Sequence, residues 1–296
     1  MSSTSILAHP TSVVAASGAF SLEAVATMGF GHRPDGRFDG VMRLAFCLDG
    51  EGYGRHGAAE VRAHAEGVAC TVVAGDPGVV RAQVARVLSL DHDGAAFDEI
   101  GRRDPVIGRL QQMAWGLRPP LFHSPYEAAA WAVLSARRPA RQMALVRRRL
   151  SEDHGAVFDL AGQAVAAFPM PEQLLRVASF AGLPSVKIER LHAVARAALS
   201  GELDAAGLLA LGPDEAAARL QALPGIGPFY AALVVVRATG FADVLATNEP
   251  TLLVAVGQLY GLGRPATPTE LVAIAEAWRP LRTWACVLVR AVHGGR

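Results

Sequence analysis

The chain has 296 residues, 51% of them apolar and 19% charged, and its 28 Lys/Arg against 27 Asp/Glu leave a formal net charge of +1. That composition supplies a real core and excludes a disordered chain, while the length favours more than one packed unit. No apolar run reaches the roughly 18–20 residues that span a bilayer, and the start, MSSTSILAHP, lacks the basic segment of a secretory signal. A soluble, cytoplasmic protein with no membrane partner is expected.

In chain order, candidate strands fall at Ser12–Ala19, Val41–Leu48, Val61–Ala65 and Val68–Val73, separated by turns such as RPDGRFDG and LDGEGYGRHG. The run GDPGVVRAQVARVLSLD then carries Val79, Val80, Val84, Val87 and Leu88 at helical spacing. Strands followed by a helix predict a small α+β domain on an antiparallel sheet over residues 1–97. From residue 98 to 296 the pattern is helical only, with segments near 98–115, 125–150, 171–180, 184–199, 205–210, 213–222, 228–239, 248–259, 268–277 and 279–293. Start signals SPYE, FPMPEQ and TPTE place Ser, Thr or Pro ahead of an acidic first turn. The change of pattern falls around the proline-bearing loop GLRPPLFHSP, and there is no internal repeat.

Cys47, Cys70 and Cys286 are scattered without ligand-like spacing, which predicts buried reduced thiols and neither a disulfide framework nor a zinc site. Lys187 is the sole lysine.

The most informative segment is LPGIGPFYA at 223–231. Pro224 starts a turn, Gly225 and Gly227 can take φ > 0 on either side of Ile226, and Pro228 suits the first turn of a following helix. Outward amides beside a helix N-terminus hold a phosphate oxygen without reading sequence. On spacing alone, an ordinary helix corner with two glycines fits as well.

The wider context resembles the helix-hairpin-helix DNA glycosylase superfamily, closest to the 3-methyladenine DNA glycosylase II type. The matching stretches are SPYEAAAWAVLSARRPARQMALVRRRL (124–150), FAGLPSVKIERLHAVARAALSGEL (180–203), LQALPGIGPFYAALVVVRATG (220–240), FADVLATNEPTLLVAVGQL (241–259) and AEAWRPLRTWACVLVRAVH (275–293). Within the last, WRPLRTWA stands for the family's WRPxRxxA signature. The resemblance implies an antiparallel N-terminal domain before two helical subdomains. It further implies a monomer that binds bacterial double-stranded DNA at the nucleoid, flips out a damaged, alkylated base and hydrolyses its N-glycosidic bond.

Carried over by position, the family's catalytic aspartate falls on Glu249, with Asn248 before it. The lysine of bifunctional members falls on Phe229, which implies monofunctional chemistry, and the four-cysteine iron–sulfur loop is absent, so no redox cofactor is expected. Pocket aromatics of the family fall on Phe229, Leu233 and Arg290, so Tyr230, Trp131 and Trp284 are the candidates to restore aromatic surface, Trp284 and Tyr230 also fitting as core. The wedge that fills the gap left by the flipped base falls on Arg137, followed by Arg138 and a basic run through Arg141 and 147–149. Carbonyls of Gln221, Leu223 and Ile226 are the positions that would hold a structural Na+ or K+ at the hairpin. Arg279 and Arg282 are expected in buried ion pairs that join helices. Two other readings stay open: a lesion-sensing DNA-binding protein that lost efficient chemistry, and a helical scaffold whose hairpin binds a protein.

Overall fold

The computed structural model describes residues 10–28 and 38–294. Most of the turn RPDGRFDG and the first nine residues lie outside them. Strands β1 (Thr11–Ala15), β2 (Val41–Cys47), β3 (His56–His64) and β4 (Gly67–Ala74) form one antiparallel sheet in the order β1-β4-β3-β2, with helix α1 (Leu22–Met28) between the first two in sequence. The first strand stops four residues before the expected end, because Gly18 turns the chain with φ +72°. The third begins five residues early. Gly57 lies within it, where an added Cβ would sit 2.7 Å from Leu48 and 3.0 Å from Val80, so this glycine serves close packing and not a turn. Val80 belongs to α2 (Pro77–Val87), whose N-cap Asp76 accepts from the Gly78 and Val79 amides.

The expected helix at 98–115 is two helices, α3 (Ala95–Arg103) and α4 (Pro105–Met113). Asp104, extended because proline follows it, breaks the helix and caps the next one. Its buried carboxylate also accepts from Trp278 Nε1 at 2.9 Å and from the Tyr260 hydroxyl, which joins α4 to the C-terminal region. Likewise 125–150 divides into α5 (Pro125–Ser135) and α6 (Ala140–His154).

A hairpin of β5 (Val157–Leu160) and β6 (Gln163–Ala166) then corrects the expectation of helices only. Its two-residue turn has Ala161 and Gly162 at φ +48° and +74°. It is fixed to the sheet by Arg43 Nε on the Leu160 carbonyl (2.9 Å) and the Ala161 amide on Glu60 (2.7 Å). Helices α7 (Pro171–Leu175), α8 (Ser185–Leu199), α9 (Ala205–Leu211), α10 (Pro213–Gln221), α11 (Pro228–Ala238), α12 (Pro250–Leu259), α13 (Pro268–Ala275) and α14 (Arg282–Gly294) complete the chain. No helix among the described residues is long and apolar enough to cross a membrane.

The α+β class with two helical subdomains holds. One core joins the sheet, α2–α4 and the returning helices α12–α14. The other joins α5–α11. The three cysteines are buried and unpaired with one another, as expected.

Where the two cores meet, the fully buried carboxylate of Glu127 on α5 accepts from the Cys47 amide of β2 (3.1 Å), His123 Nδ1 (3.2 Å) and Arg147 of α6 (2.6 Å). Burial pushes its pKa up, but the charges and hydrogen bonds of His123 and Arg147 outweigh that and hold it below the ordinary 4.5. A depressed acid contributes stability that is complete above its unfolded pKa and lost as pH falls through the folded one. Glu127→Gln is therefore expected to cost roughly 3–5 kcal/mol at neutral pH in denaturant unfolding. Its melting temperature should also fall less than wild type's when the pH is taken below 4.5.

Candidate active site

Between α10 and α11 the hairpin turn is anchored from inside by buried Leu223 and Ile226, and the Ile226 amide donates to the Leu223 carbonyl at 3.0 Å. Pro224, Gly225 and Gly227 are exposed. Of the two glycines, Gly225 alone takes the left-handed conformation, at φ +90°, with its Cα packed on the Arg190 side chain. Gly227 is extended at φ −88° and faces open space, so it keeps the approach to the backbone clear. No side chain caps α11, and Pro228 occupies its first turn, which leaves the following amides free for an anion. The Gln221, Leu223 and Ile226 carbonyls lie at the end of α10 and in the turn. They are oxygen donors of the kind a monovalent cation needs.

Helix α11 packs on α5 and brings Tyr230 to Ser135, hydroxyl to hydroxyl at 3.4 Å, while Ser135 donates to the Trp131 carbonyl at 2.8 Å. Trp131 is buried and Tyr230 half-buried, with the Phe229 ring edge-on to Tyr230 at 5.2 Å and 67% exposed. Phe229 thus presents most of its ring to solvent beside Tyr230. Trp284 is elsewhere, buried against Phe97, His92 and Arg118, and takes no part.

The segment after α11 is clamped by the start of α14. Arg282 Nε meets Asp243 at 2.8 Å, and Thr283 exchanges bonds with Ala242 and Val244. Arg279 also pairs with Asp243, but its side chain is 49% exposed, so the expected buried pair is realised by Arg282 and not by Arg279. The clamp delivers exposed Asn248 and then Glu249, the N-cap of α12, whose carboxylate accepts from Thr251 (3.3 Å) and Leu252 (2.7 Å) amides. Arg290 of α14 places Nε 3.7 Å from Glu249 Oε2, and the Glu249 side chain stays 19% exposed. Two other acids of this half of the chain are committed elsewhere: Asp243 to two arginines, and Asp204 to capping α9.

Arg290 also lines an open groove of about 740 Å³ with Ala24, Met28, Met113, Leu117, Val287 and Arg237. Arg237 donates twice to the Pro120 carbonyl, at 3.1 and 2.7 Å. Burial, then the nearby Arg290 charge, lowers its pKa to about 10. Sequence reasoning missed this residue. Its signal was a single charge in the apolar run AALVVVRATG.

In the loop between α5 and α6, Arg137 is exposed and left-handed at φ +56°, beside exposed Arg138. Lys187 supports the loop from below. Its nearly buried ammonium donates to the Val133, Leu134 and Ala136 carbonyls at 2.7, 2.6 and 3.1 Å. Burial, with the charges of Arg138 and Arg190, lowers its pKa. Arg141, Arg148 and Arg149 are exposed, but Arg147 is not part of that basic surface: it turns inward to Glu127 and lies over the Phe168 ring.

No protein-family model matches the chain. It is similar to the "DNA-3-methyladenine glycosylase" of Bacillus subtilis, 25% identical over 201 residues that cover 66% of this chain and 66% of that one. It is also similar to the "Probable bifunctional transcriptional activator/DNA repair enzyme AlkA" of Mycobacterium tuberculosis, 29% identical over 208 residues, 69% of this chain and 40% of that one. The matched stretches span less than two thirds of either relative. The solved "3-methyladenine dna-glycosylase from Archaeoglobus fulgidus" superposes with a TM-score of 0.74 at 21% identity, covering 93% of this chain and 95% of that one, and so shares the fold.

The two hairpin glycines should respond differently to substitution. Gly225→Ala forces a left-handed alanine against Arg190 and is expected to lose about 1–2 kcal/mol in unfolding experiments. Gly227→Ala, with ordinary backbone angles and open space, is expected to stay within ~0.5 kcal/mol of wild type.

Proposed function

We propose, for a chain that belongs to the helix-hairpin-helix DNA glycosylase superfamily of the 3-methyladenine glycosylase II type, that it is a monofunctional glycosylase releasing alkylated bases from double-stranded DNA. The observation that carries this reading is the position of Glu249: a partly exposed carboxylate behind the hairpin, with the neighbouring Asp243 already committed to arginines. In this account the free amides of the hairpin and α11 hold a backbone phosphate, with the exposed arginines of α6 supplying salt-dependent attraction. Arg137 fills the gap left by the extruded nucleotide. Trp131, Tyr230 and Phe229 form the aromatic side of the site, and Asn248 and Arg290 flank the carboxylate.

As the base departs, the sugar gains oxocarbenium character, and the Glu249 carboxylate stabilises that charge while water adds to C1′. Monofunctional chemistry is supported by the amines available. Phe229 stands where an imine-forming lysine would be needed, and Lys187 is tied to three carbonyls. A monovalent cation at the Gln221, Leu223 and Ile226 carbonyls would stiffen the hairpin and leave the chemistry to these residues.

Glu249→Gln keeps an oxygen to cap α12 but removes the charge. It is expected to slow base release from methylated duplex by about 10²–10³-fold while binding an abasic-site duplex as wild type does. Unchanged release would show that another group does this work. A wild type that binds but releases nothing would favour the lesion-sensor reading.

A further inference from the structure

The groove wall beside Glu249 carries charge of the wrong sign for a cationic guest. We infer that this protein releases damaged bases that are neutral in the nucleoside, such as the cyclic adduct 1,N6-ethenoadenine, in preference to positively charged N-alkylpurines such as 7-methylguanine. The inference rests on the glycosylase reading and narrows its substrate class.

Arg290 connects the two parts of the site, since it reaches Glu249 at 3.7 Å and lines the groove. The other groove residues are aliphatic or thioether side chains, the Thr27 hydroxyl and a second guanidinium, that of Arg237; among the described lining residues there is neither an aromatic ring nor a carboxylate. Burial, and after it the Arg290 charge, lowers the Arg237 pKa, so the two guanidinium groups line the same groove at a mutual cost. A purine alkylated at N3 or N7 is a cation while it remains on the sugar, and electron-rich rings attract it. Phe229, Tyr230 and Trp131 supply such rings elsewhere in the site, but the groove wall itself presents two guanidinium groups, and the buried one, Arg237, lies where repulsion is least screened.

The same wall suits a different leaving group. When the C1′–N bond breaks, its electron pair leaves with the base. A cationic base departs neutral and gains nothing from a donor. A neutral base departs with negative charge spread over its ring nitrogens until it takes a proton. Water supplies both parts: its oxygen bonds to C1′, one proton stays on the new sugar hydroxyl, and the other ends on the base. The Arg290 N–H groups stabilise the anion that develops before that proton arrives, as Glu249 stabilises the cationic sugar. One guanidinium–carboxylate pair thereby covers both developing charges.

The test is single-turnover base release from duplexes carrying 1,N6-ethenoadenine or 7-methylguanine, with wild type, Arg290→Gln and Arg290→Lys. Because the Arg290 side chain is 53% exposed, the variants are expected to melt as wild type does. Wild type is expected to release ethenoadenine faster. Arg290→Gln should lower that rate by about 10²-fold and raise release of 7-methylguanine, with Arg290→Lys in between. Faster release of 7-methylguanine by wild type would overturn the inference. So would an equal loss on both bases in Arg290→Gln, which would make Arg290 a mere support for Glu249. Release of neither base by a wild type that still binds abasic duplex would overturn the glycosylase reading itself, and this inference with it.

Discussion

A single buried carboxylate holds the two halves of the molecule in register. Glu127 takes hydrogen bonds from β2, from the loop before α5 and from α6, so sheet and helices share one acceptor. An unpaired charge at that depth would be severely unfavourable, and the arrangement is therefore intolerant of change in any of its partners. Gln83 adds a second tie, donating to the carbonyls of Cys47 and His123. Between them these contacts fix α5, and α5 fixes one side of the proposed site: Trp131, Ser135 and the Arg137 loop all hang from it.

The other side of the site depends on α14, which packs with the sheet core and clamps the segment leading to Glu249. Glu249 and Arg290 are thus held by one core, and the hairpin and Tyr230 by the other. In the proposed mechanism Glu249 has two tasks. Its oxygens cap α12, which lowers the cost of holding a carboxylate in place. The 3.7 Å separation from Arg290 leaves the same carboxylate open to a stronger cation. Capping and electrostatic stabilisation are compatible, because the cap uses fixed amides and the charge remains.

Local signals made much of this legible in the sequence. The hairpin, the change from early strands to helices and the burial of the cysteines follow from local composition and spacing, whereas Glu249 was placed by the resemblance to the glycosylase superfamily. What stayed hidden depends on direction or on distant partners. Arg147, Arg148 and Arg149 read as one basic run, yet successive helical residues point about 100° apart, and the first of the three turns inward to Glu127. The β5–β6 hairpin is too short and too weakly apolar to stand out among helices, and its stability comes from the sheet it joins. Gly57 looked like a turn residue because a missing side chain has the same appearance whether it permits a bend or close packing. Arg237 shares its groove with Arg290, which lies 53 residues further along the chain, so no local pattern could pair them.

In the proposed mechanism the Glu249 carboxylate faces the cationic sugar of an extruded nucleotide. The decisive comparison is the affinity of wild type and Glu249→Gln for two duplexes, one carrying a neutral tetrahydrofuran abasic site and one a cationic pyrrolidine sugar mimic. Wild type is expected to prefer the cationic mimic, and the preference is expected to disappear in the variant while binding to the neutral site persists. An equal preference in both proteins would contradict that mechanism.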